Sequence, residues 1–82
     1  MDTATWRDEA RKAIDRLQSV RDELRVQAHL AGMDAKDRWK SLEPRIQEVT
    51  DHLAREGSEG ARKAFQEIMD ELKTFRASLD RH

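Results

Sequence analysis

The 82-residue chain is predicted to be an all-α protein, and three observations carry this prediction. Small and apolar residues recur every three or four positions over most of the chain, which is the period of an α-helix with one buried face. Only one proline and three glycines are present, so helix-breaking residues are rare. Charged residues make up 40% of the sequence and separate the apolar positions, as on the solvent side of amphipathic helices.

A long first helix is predicted over about residues 5–55, because one apolar stripe runs through this range with a constant period. The stripe advances from Trp6 to Leu53, which is 47 residues in thirteen steps, or about 3.6 residues a step. Its members are Trp6, Ala10, Ala13, Leu17, Val20, Leu24, Ala28, Ala31, Ala35, Trp39, Leu42, Ile46, Val49 and Leu53. A chain that folded back inside this range would have no reason to keep the period.

Two positions within this range could interrupt the helix. Gly32 suits the residue just past a helix end, and Asp34 suits the cap of a restarted helix. Pro44 has no amide hydrogen and disfavours helical geometry at the residue before it. The constant period favours one long helix that is kinked near 32 or 44, and a chain broken near Gly32 is the alternative.

A turn over residues 56–59 and a second helix over about 59–80 are predicted to complete a single helical domain, residues 1–82. Gly57 suits a helix end, and Ser58 suits the cap of the next helix. The apolar positions of the second helix are Ala61, Phe65, Ile68, Leu72, Phe75 and Leu79. The two helices are expected to form an antiparallel hairpin with arms of unequal length.

Self-association is predicted from this difference in length. A helix over 5–55 is about 75 Å long and one over 59–80 about 33 Å, so the shorter arm leaves the stripe from Trp6 to Ala31 uncovered. A homodimer that forms a three- or four-helix bundle would cover the stripe. If the chain breaks near Gly32 instead, the same contacts make a closed monomeric three-helix bundle. The residues expected to pack and self-associate are Trp6, Leu17, Val20, Leu24, Ala28, Ala31, Trp39, Leu42, Ile46, Leu53, Phe65, Ile68, Leu72 and Phe75.

A minor second stripe of Val26, Leu30 and Met33 lies beside the main one. Such a wide apolar face is typical of a helix that is buried between two neighbours, so we expect three helices in cross-section. Trp39 lies between two basic residues, a pattern that also occurs where aromatic rings stack on nucleic-acid bases. Because Trp39 belongs to the main stripe, we expect it to pack in the core.

The charge pattern argues against a nucleic-acid partner. The chain carries 16 basic and 17 acidic side chains, and neither half is a basic arm or an acidic tail. No apolar run approaches the roughly 20 residues that span a bilayer, and no apolar signal segment opens the chain. We therefore expect a cytoplasmic protein, with contact at a membrane surface as a less favoured alternative.

Residue types that carry chemistry are sparse. With no cysteine, neither disulfides nor thiolate metal ligands are available. Glu48 and His52 share a helix face, but a metal centre in a helix bundle needs further inward-facing carboxylates and histidines. No phosphate-binding loop, zinc-ligand spacing or nucleophile motif occurs. We predict no catalytic, cofactor-binding or metal-binding residue, and a protein that is not an enzyme.

The segment DELRVQAHLAGMDAKDRW, residues 22–39, resembles a pattern in small uncharacterised bacterial proteins. In those proteins a similar stretch precedes a short turn and a second amphipathic helix, and such helical-hairpin chains are described as coiled-coil, apolipoprotein-like or stress-response-associated. The resemblance covers about residues 15–80. It implies an all-α hairpin of bacterial origin and carries over no catalytic residue.

The sequence therefore predicts a non-enzymatic structural or protein-interaction protein that self-associates through amphipathic helices. One alternative is a stress-associated or lipid-surface-binding protein that opens its hairpin on membranes. The wide apolar faces indicate this alternative, and the lack of a basic polar face counts against it. Another alternative, a metal-binding helical bundle, depends on Glu48 and His52 alone.

Overall fold

The computed structural model describes the backbone of residues 3–55 and 59–80 and the side chains of 7–55 and 59–79. These residues form three α-helices, α1 (Thr3–Ala31), α2 (Met33–Arg55) and α3 (Glu59–Asp80). The predicted all-α class is confirmed. The predicted turn over 56–59 falls mainly outside the described residues, and the helices on either side of it end at Arg55 and begin at Glu59.

The expectation of one helix over 5–55 is wrong, because the chain reverses direction at Gly32. Gly32 alone separates α1 from α2, and its φ of 114° lies in the left-handed region that residues with a side chain rarely adopt. Its carbonyl oxygen accepts a hydrogen bond from the Lys36 amide at 3.1 Å, which is the first bond of α2. Gly32 thus ends α1 and also caps α2. The sequence suggests Asp34 as the cap of the second helix, but Asp34 lies inside α2. The alternative architecture, a three-helix bundle broken near Gly32, is the one observed.

Pro44 does not interrupt α2, although it removes one helical hydrogen bond. Lys40, whose carbonyl loses its amide partner, is exposed, and so is Pro44. Water can therefore take the place of the missing donor, and the helix continues through the proline.

The three helices lie side by side in a narrow bundle. As one straight rod, α1 and α2 would extend for about 78 Å at 1.5 Å per residue. The molecule measures 46 × 16 × 15 Å, so α2 runs back along α1 and α3 runs back along α2. The long dimension is close to the length of α1 alone, which is about 43 Å.

Two ion pairs define the register between α1 and α3. The guanidinium of Arg62 lies 2.7 Å from the carboxylate of Glu9, and that of Arg76 lies 2.9 Å from the carboxylate of Glu23. Both pairs are 53 residues apart in the chain. Because the separation is constant, α1 and α3 run parallel.

Two polar contacts define the register between α2 and α3. Arg38 donates a hydrogen bond to the Ser78 hydroxyl at 3.0 Å, and Arg45 donates one to the Glu71 carboxylate. From the first pair to the second, the residue number rises by seven on α2 and falls by seven on α3. The two helices are therefore antiparallel, as the reversal after Arg55 requires.

The core is formed mainly by residues that recur every seven positions on each helix. The seven-residue series are Ala10, Leu17 and Leu24 on α1, Trp39, Ile46 and Leu53 on α2, and Ala61, Ile68 and Phe75 on α3. The register groups these residues into three layers, one containing Leu24, Trp39 and Phe75 and the opposite one containing two alanines. Burial of each large aliphatic or aromatic side chain stabilises the bundle by about 1.5–3 kcal/mol.

Candidate functional site

The residues predicted to pack lie mostly in the core of a single chain. The buried ones are Leu17, Leu24, Ala28, Trp39, Ile46, Leu53, Ile68, Leu72 and Phe75. The partly buried ones, packed against the same core, are Val20, Ala31, Leu42 and Phe65. The side chain of Trp6 lies outside the described part of the chain, so its packing stays a prediction. The described part of the stripe, which we expected a second chain to cover, is covered by α2 and α3 of the same chain.

A set of three exposed apolar side chains lies beside the turn between α1 and α2. Among the described residues, the large apolar side chains left exposed are Val26, Leu30 and Met33, at 60%, 83% and 80%. We call this set the apex patch. The expectation that it forms a buried second stripe is wrong, because both neighbours of α1 pack on the opposite face, where Leu24 and Ala28 are buried.

The outer face of α1 changes character along its length. Its earlier turns present exposed charged or polar side chains, namely Asp8, Arg11, Lys12, Asp15, Ser19 and Asp22. The last two turns present Val26 and Leu30 instead, and Met33, the first residue of α2 after Gly32, is exposed as well. Single exposed apolar residues are ordinary on a protein surface, whereas a large contiguous apolar patch is typical of a contact site.

Charged residues of both signs surround the apex patch. Asp22, Arg25 and His29 line a shallow groove together with Val26 and Leu30. The Nδ1 atom of His29 lies 3.2 Å from the carbonyl oxygen of Arg25, which accepts a hydrogen bond from it. The imidazole is thereby held on its own helix beside the patch.

A second surface feature is a groove of about 280 Å³ between α1 and α3, at the end of the bundle away from the apex patch. The residues that line it are Glu9, Ala10, Ala13, Leu53, Arg62, Phe65 and Gln66. The groove forms because this core layer holds Ala10 and Ala61, where the other layers hold larger side chains. Arg62 already pairs with Glu9 at the rim, so the groove presents an apolar floor and no charge arranged for a particular ligand.

The polar cluster between α2 and α3 is structural. The guanidinium of Arg38 lies 5.2 Å from the centre of the Phe75 ring, within the range of a cation–π contact. The hydrogen bond from Arg45 to Glu71 is the main cause that raises the pKa of Arg45. These side chains are 51% and 40% exposed, so their ion pair contributes less than about 1 kcal/mol.

The described residues contain no arrangement suited to a metal. Glu48 and His52, the pair considered from the sequence, line a shallow depression on α2 with Asp51 and Arg55. Among the side chains of 7–55 and 59–79, no group of three or more histidine, aspartate or glutamate residues comes together in a way that could hold an ion. In the same residues, no helix has the length and apolar character needed to cross a bilayer.

The apex patch is thus the group of large apolar side chains that the fold leaves exposed on the described surface. Its side chains stay mostly in contact with water, and removing them from water would be favourable. Function is inferred from these physical features, since comparisons of the chain with protein-family models, with curated proteins and with solved structures found no match.

Proposed function

We propose that this is a non-enzymatic protein-interaction protein that self-associates, with the apex patch of one copy against the apex patch of a second. The observation that carries the proposal is the grouping of Val26, Leu30 and Met33, at 60–83% exposure, on a described surface that is otherwise mainly charged or polar. Contact between two such patches removes apolar area from water on both copies, at about 25 cal/mol per Å².

The charges around the patch favour a second copy over a lipid surface. Asp22 and Arg25 flank it on α1, and Asp34 and Lys36 follow it on α2. Across a two-fold axis, a rim with both signs can place acidic side chains of one copy opposite basic side chains of the other. An anionic membrane surface selects a mainly basic rim instead.

The size of the patch sets the expected strength of the contact. Three side chains per copy form a small interface, and interfaces that bury less than about 1,200 Å² in total are weak or transient. We therefore expect a dimer dissociation constant of tens of micromolar or weaker. Such an association depends on the concentration of the chain.

Sedimentation equilibrium over a concentration series tests the proposal. The wild-type mass is expected to rise from 9.6 kDa towards twice that value as concentration increases. A variant with Leu30→Gln and Met33→Gln is expected to associate at least about 10-fold more weakly, because its patch is polar. The matched control is Ala54→Gln, an exposed position near the other end of α2. Circular dichroism verifies that each variant is helical.

Each outcome discriminates between the candidate functions. A wild-type mass that stays at 9.6 kDa at every concentration up to about 1 mM would show that the chain does not self-associate. Equal association of the wild type and the double variant would remove the apex patch from the contact. Co-sedimentation of the wild type with neutral or anionic vesicles, lost in the double variant, would assign the patch to a lipid surface.

A further inference from the structure

The connection between α1 and α2 is a single residue. Gly32 has a φ of 114°, and its carbonyl oxygen already accepts the first helical hydrogen bond of α2. The backbone conformation of Gly32 is therefore what keeps α1 and α2 from forming one continuous helix. Glycine populates both the left-handed and the right-handed region readily, so this residue can adopt either form.

A helix continuous through Gly32 would keep the same residues on its buried face. Leu24 and Ala28 on α1 and Ala35 and Trp39 on α2 are all buried in the closed bundle. Their successive separations are four, seven and four residues, which keep them on one side of a straight helix. Straightening would thus keep the core residues of α1 and α2 on one face of the helix. Only the chain that covers this face would change.

Two straightened copies can cover each other, because α1 and α2 are antiparallel in the closed bundle. The α1 helix of each copy would pack on α2 and α3 of the other copy. Each contact that α1 makes with α2 and α3 would then re-form between chains, including the Glu9–Arg62 and Glu23–Arg76 ion pairs. Leu30 and Met33 flank the turn closely, so docking through the apex patch brings the two Gly32 residues near each other.

We propose that two copies docked at their apex patches exchange α1 helices by straightening at Gly32, which converts a weak contact into a dimer with a shared core. This inference rests on the proposed self-association and supplies its route. The partner is a second copy of this chain, and the surface that it binds is the face of α2 and α3 that α1 covers in the closed form.

The substitution Gly32→Ala tests the exchange without creating a steric clash. A Cβ placed on Gly32 has no atom within 4 Å, so the change acts through the backbone alone. Alanine disfavours the positive φ of the closed turn and favours a continuous helix. Both preferences act on each of the two chains, so we expect Gly32→Ala to lower the dimer dissociation constant by about 1,000-fold.

Two variants control for other effects of this change. Gly60 is an exposed glycine inside α3, so Gly60→Ala improves a helix without touching the turn, and we expect the wild-type mass. Asparagine tolerates the left-handed region better than alanine. We therefore expect Gly32→Asn to associate much less strongly than Gly32→Ala, although both add a side chain at the same place.

Cross-linking distinguishes exchanged helices from docked closed bundles. The chain has no cysteine, so Glu9→Cys with Arg62→Cys introduces two unique sites, at positions that are 53% and 59% exposed. In a closed bundle a short bismaleimide joins the two cysteines within one chain. In an exchanged dimer it joins two chains, which migrate together on a denaturing gel.

The results separate the two proposals. A Gly32→Ala dimer with links between chains, and a Gly60→Ala chain at the wild-type mass, supports exchange. A Gly32→Ala chain of single mass, or a dimer whose links stay within chains, overturns it. A dimer whose links stay within chains still agrees with docking through the apex patch. The proposed function fails instead if the variant with Leu30→Gln and Met33→Gln associates as strongly as the wild type. If Gly32→Ala does not fold, the chain with only Glu9→Cys and Arg62→Cys is refolded at high concentration and then cross-linked. Links that form only within chains would overturn exchange.

Discussion

The indole ring of Trp39 stacks on the phenyl ring of Phe75, with ring centroids 5.9 Å apart and ring planes inclined by 29°. Both residues are 1% exposed, in the core layer nearest the apex. The indole Nε1 is buried there and has no hydrogen-bond partner among the described residues. An unpaired buried donor costs about 1–3 kcal/mol, so the largest apolar side chain of the core also carries a destabilising group.

The loss in the free energy of unfolding should therefore depend strongly on which residue replaces Trp39. Trp39→Phe removes the unpaired N–H together with part of the ring volume, so we expect a loss of about 1 kcal/mol or less in the free energy of unfolding. Trp39→Ala leaves a cavity, and we expect a loss of about 3–5 kcal/mol. Urea denaturation measures both. Similar losses for the two variants would show that the indole N–H is not a penalty.

Two leucines on α1 offer a matched comparison of buried and exposed positions. Leu17 is 0% exposed and Leu30 is 83% exposed. We expect Leu17→Ala to lower the free energy of unfolding by about 2–5 kcal/mol, and Leu30→Ala to change it by no more than about 0.5 kcal/mol. The measurement is made at low protein concentration, so that association does not contribute. A large loss at Leu30 would place this side chain in the core.

The ion pairs between the parallel helices should stabilise the fold only slightly. The side chains of Arg76 and Glu23 are 52% and 45% exposed. A double-mutant cycle with Glu23→Gln and Arg76→Gln is expected to give a coupling energy of about 0.2–1 kcal/mol at low salt. The coupling should vanish in 1 M NaCl, where the screening length is about 3 Å. A coupling that persists in salt would contradict the exposed geometry.

The contribution of the Arg45–Glu71 pair to stability should depend on pH in a defined direction. The pKa of Arg45 is raised chiefly by its hydrogen bond to Glu71. A cation with a higher pKa in the folded state contributes stability below its unfolded pKa, and this contribution is lost as pH rises through the folded pKa. Both values for arginine lie far above neutral, so we expect a constant contribution from about pH 7 to 10.

The substitution Arg45→Lys would bring this loss into a measurable range. The ordinary pKa of lysine is about 10.4, so the variant should lose stability relative to wild type as pH rises from about 9 to 11. The loss should stay below about 1 kcal/mol, because the site is exposed. Denaturation midpoints of the two chains across this pH range give the comparison. Parallel curves would show that the charge at position 45 does not contribute.

The sequence predicts the buried face of each helix correctly, since Leu17, Ile46 and Ile68 stand at helical spacing among charged residues. The pattern does not identify the element that covers this face. Whether α1 is covered by its own chain or by another depends on tertiary contacts such as the Trp39–Phe75 stack, which local periodicity does not contain.

The reversal at Gly32 is hidden from the pattern for a related reason. A connection of one residue has no run of turn-forming residues, and the apolar period is the same on both sides of it. Because the period does not change at Gly32, it favours a continuous helix. A glycine inside a helix costs only about 1 kcal/mol, so Gly32 by itself does not exclude continuity. The chain turns back because the burial of α1 on α2 and α3 contributes far more free energy than this.

The candidate site was only partly accessible from the sequence. The pattern finds Val26, Leu30 and Met33 as a second stripe, but the sequence alone does not show whether a neighbouring helix covers these residues. The spacing of the charged residues does contain a signal for the inter-helix ion pairs. Glu9 and Glu23 are fourteen residues apart, and so are Arg62 and Arg76, which is close to four helical turns on each helix.

An odd number of helices has a mechanical consequence. Because α1 and α3 are parallel, Thr3 and Asp80 lie at opposite ends of a molecule 46 Å long. A force that pulls these two residues apart acts along the helix axes, so the side chains of all core layers must slide past one another together. In a two-helix hairpin the same force would separate the layers in sequence, one at a time. The closed bundle is therefore loaded in shear, the direction in which interlocked side chains resist extension most strongly.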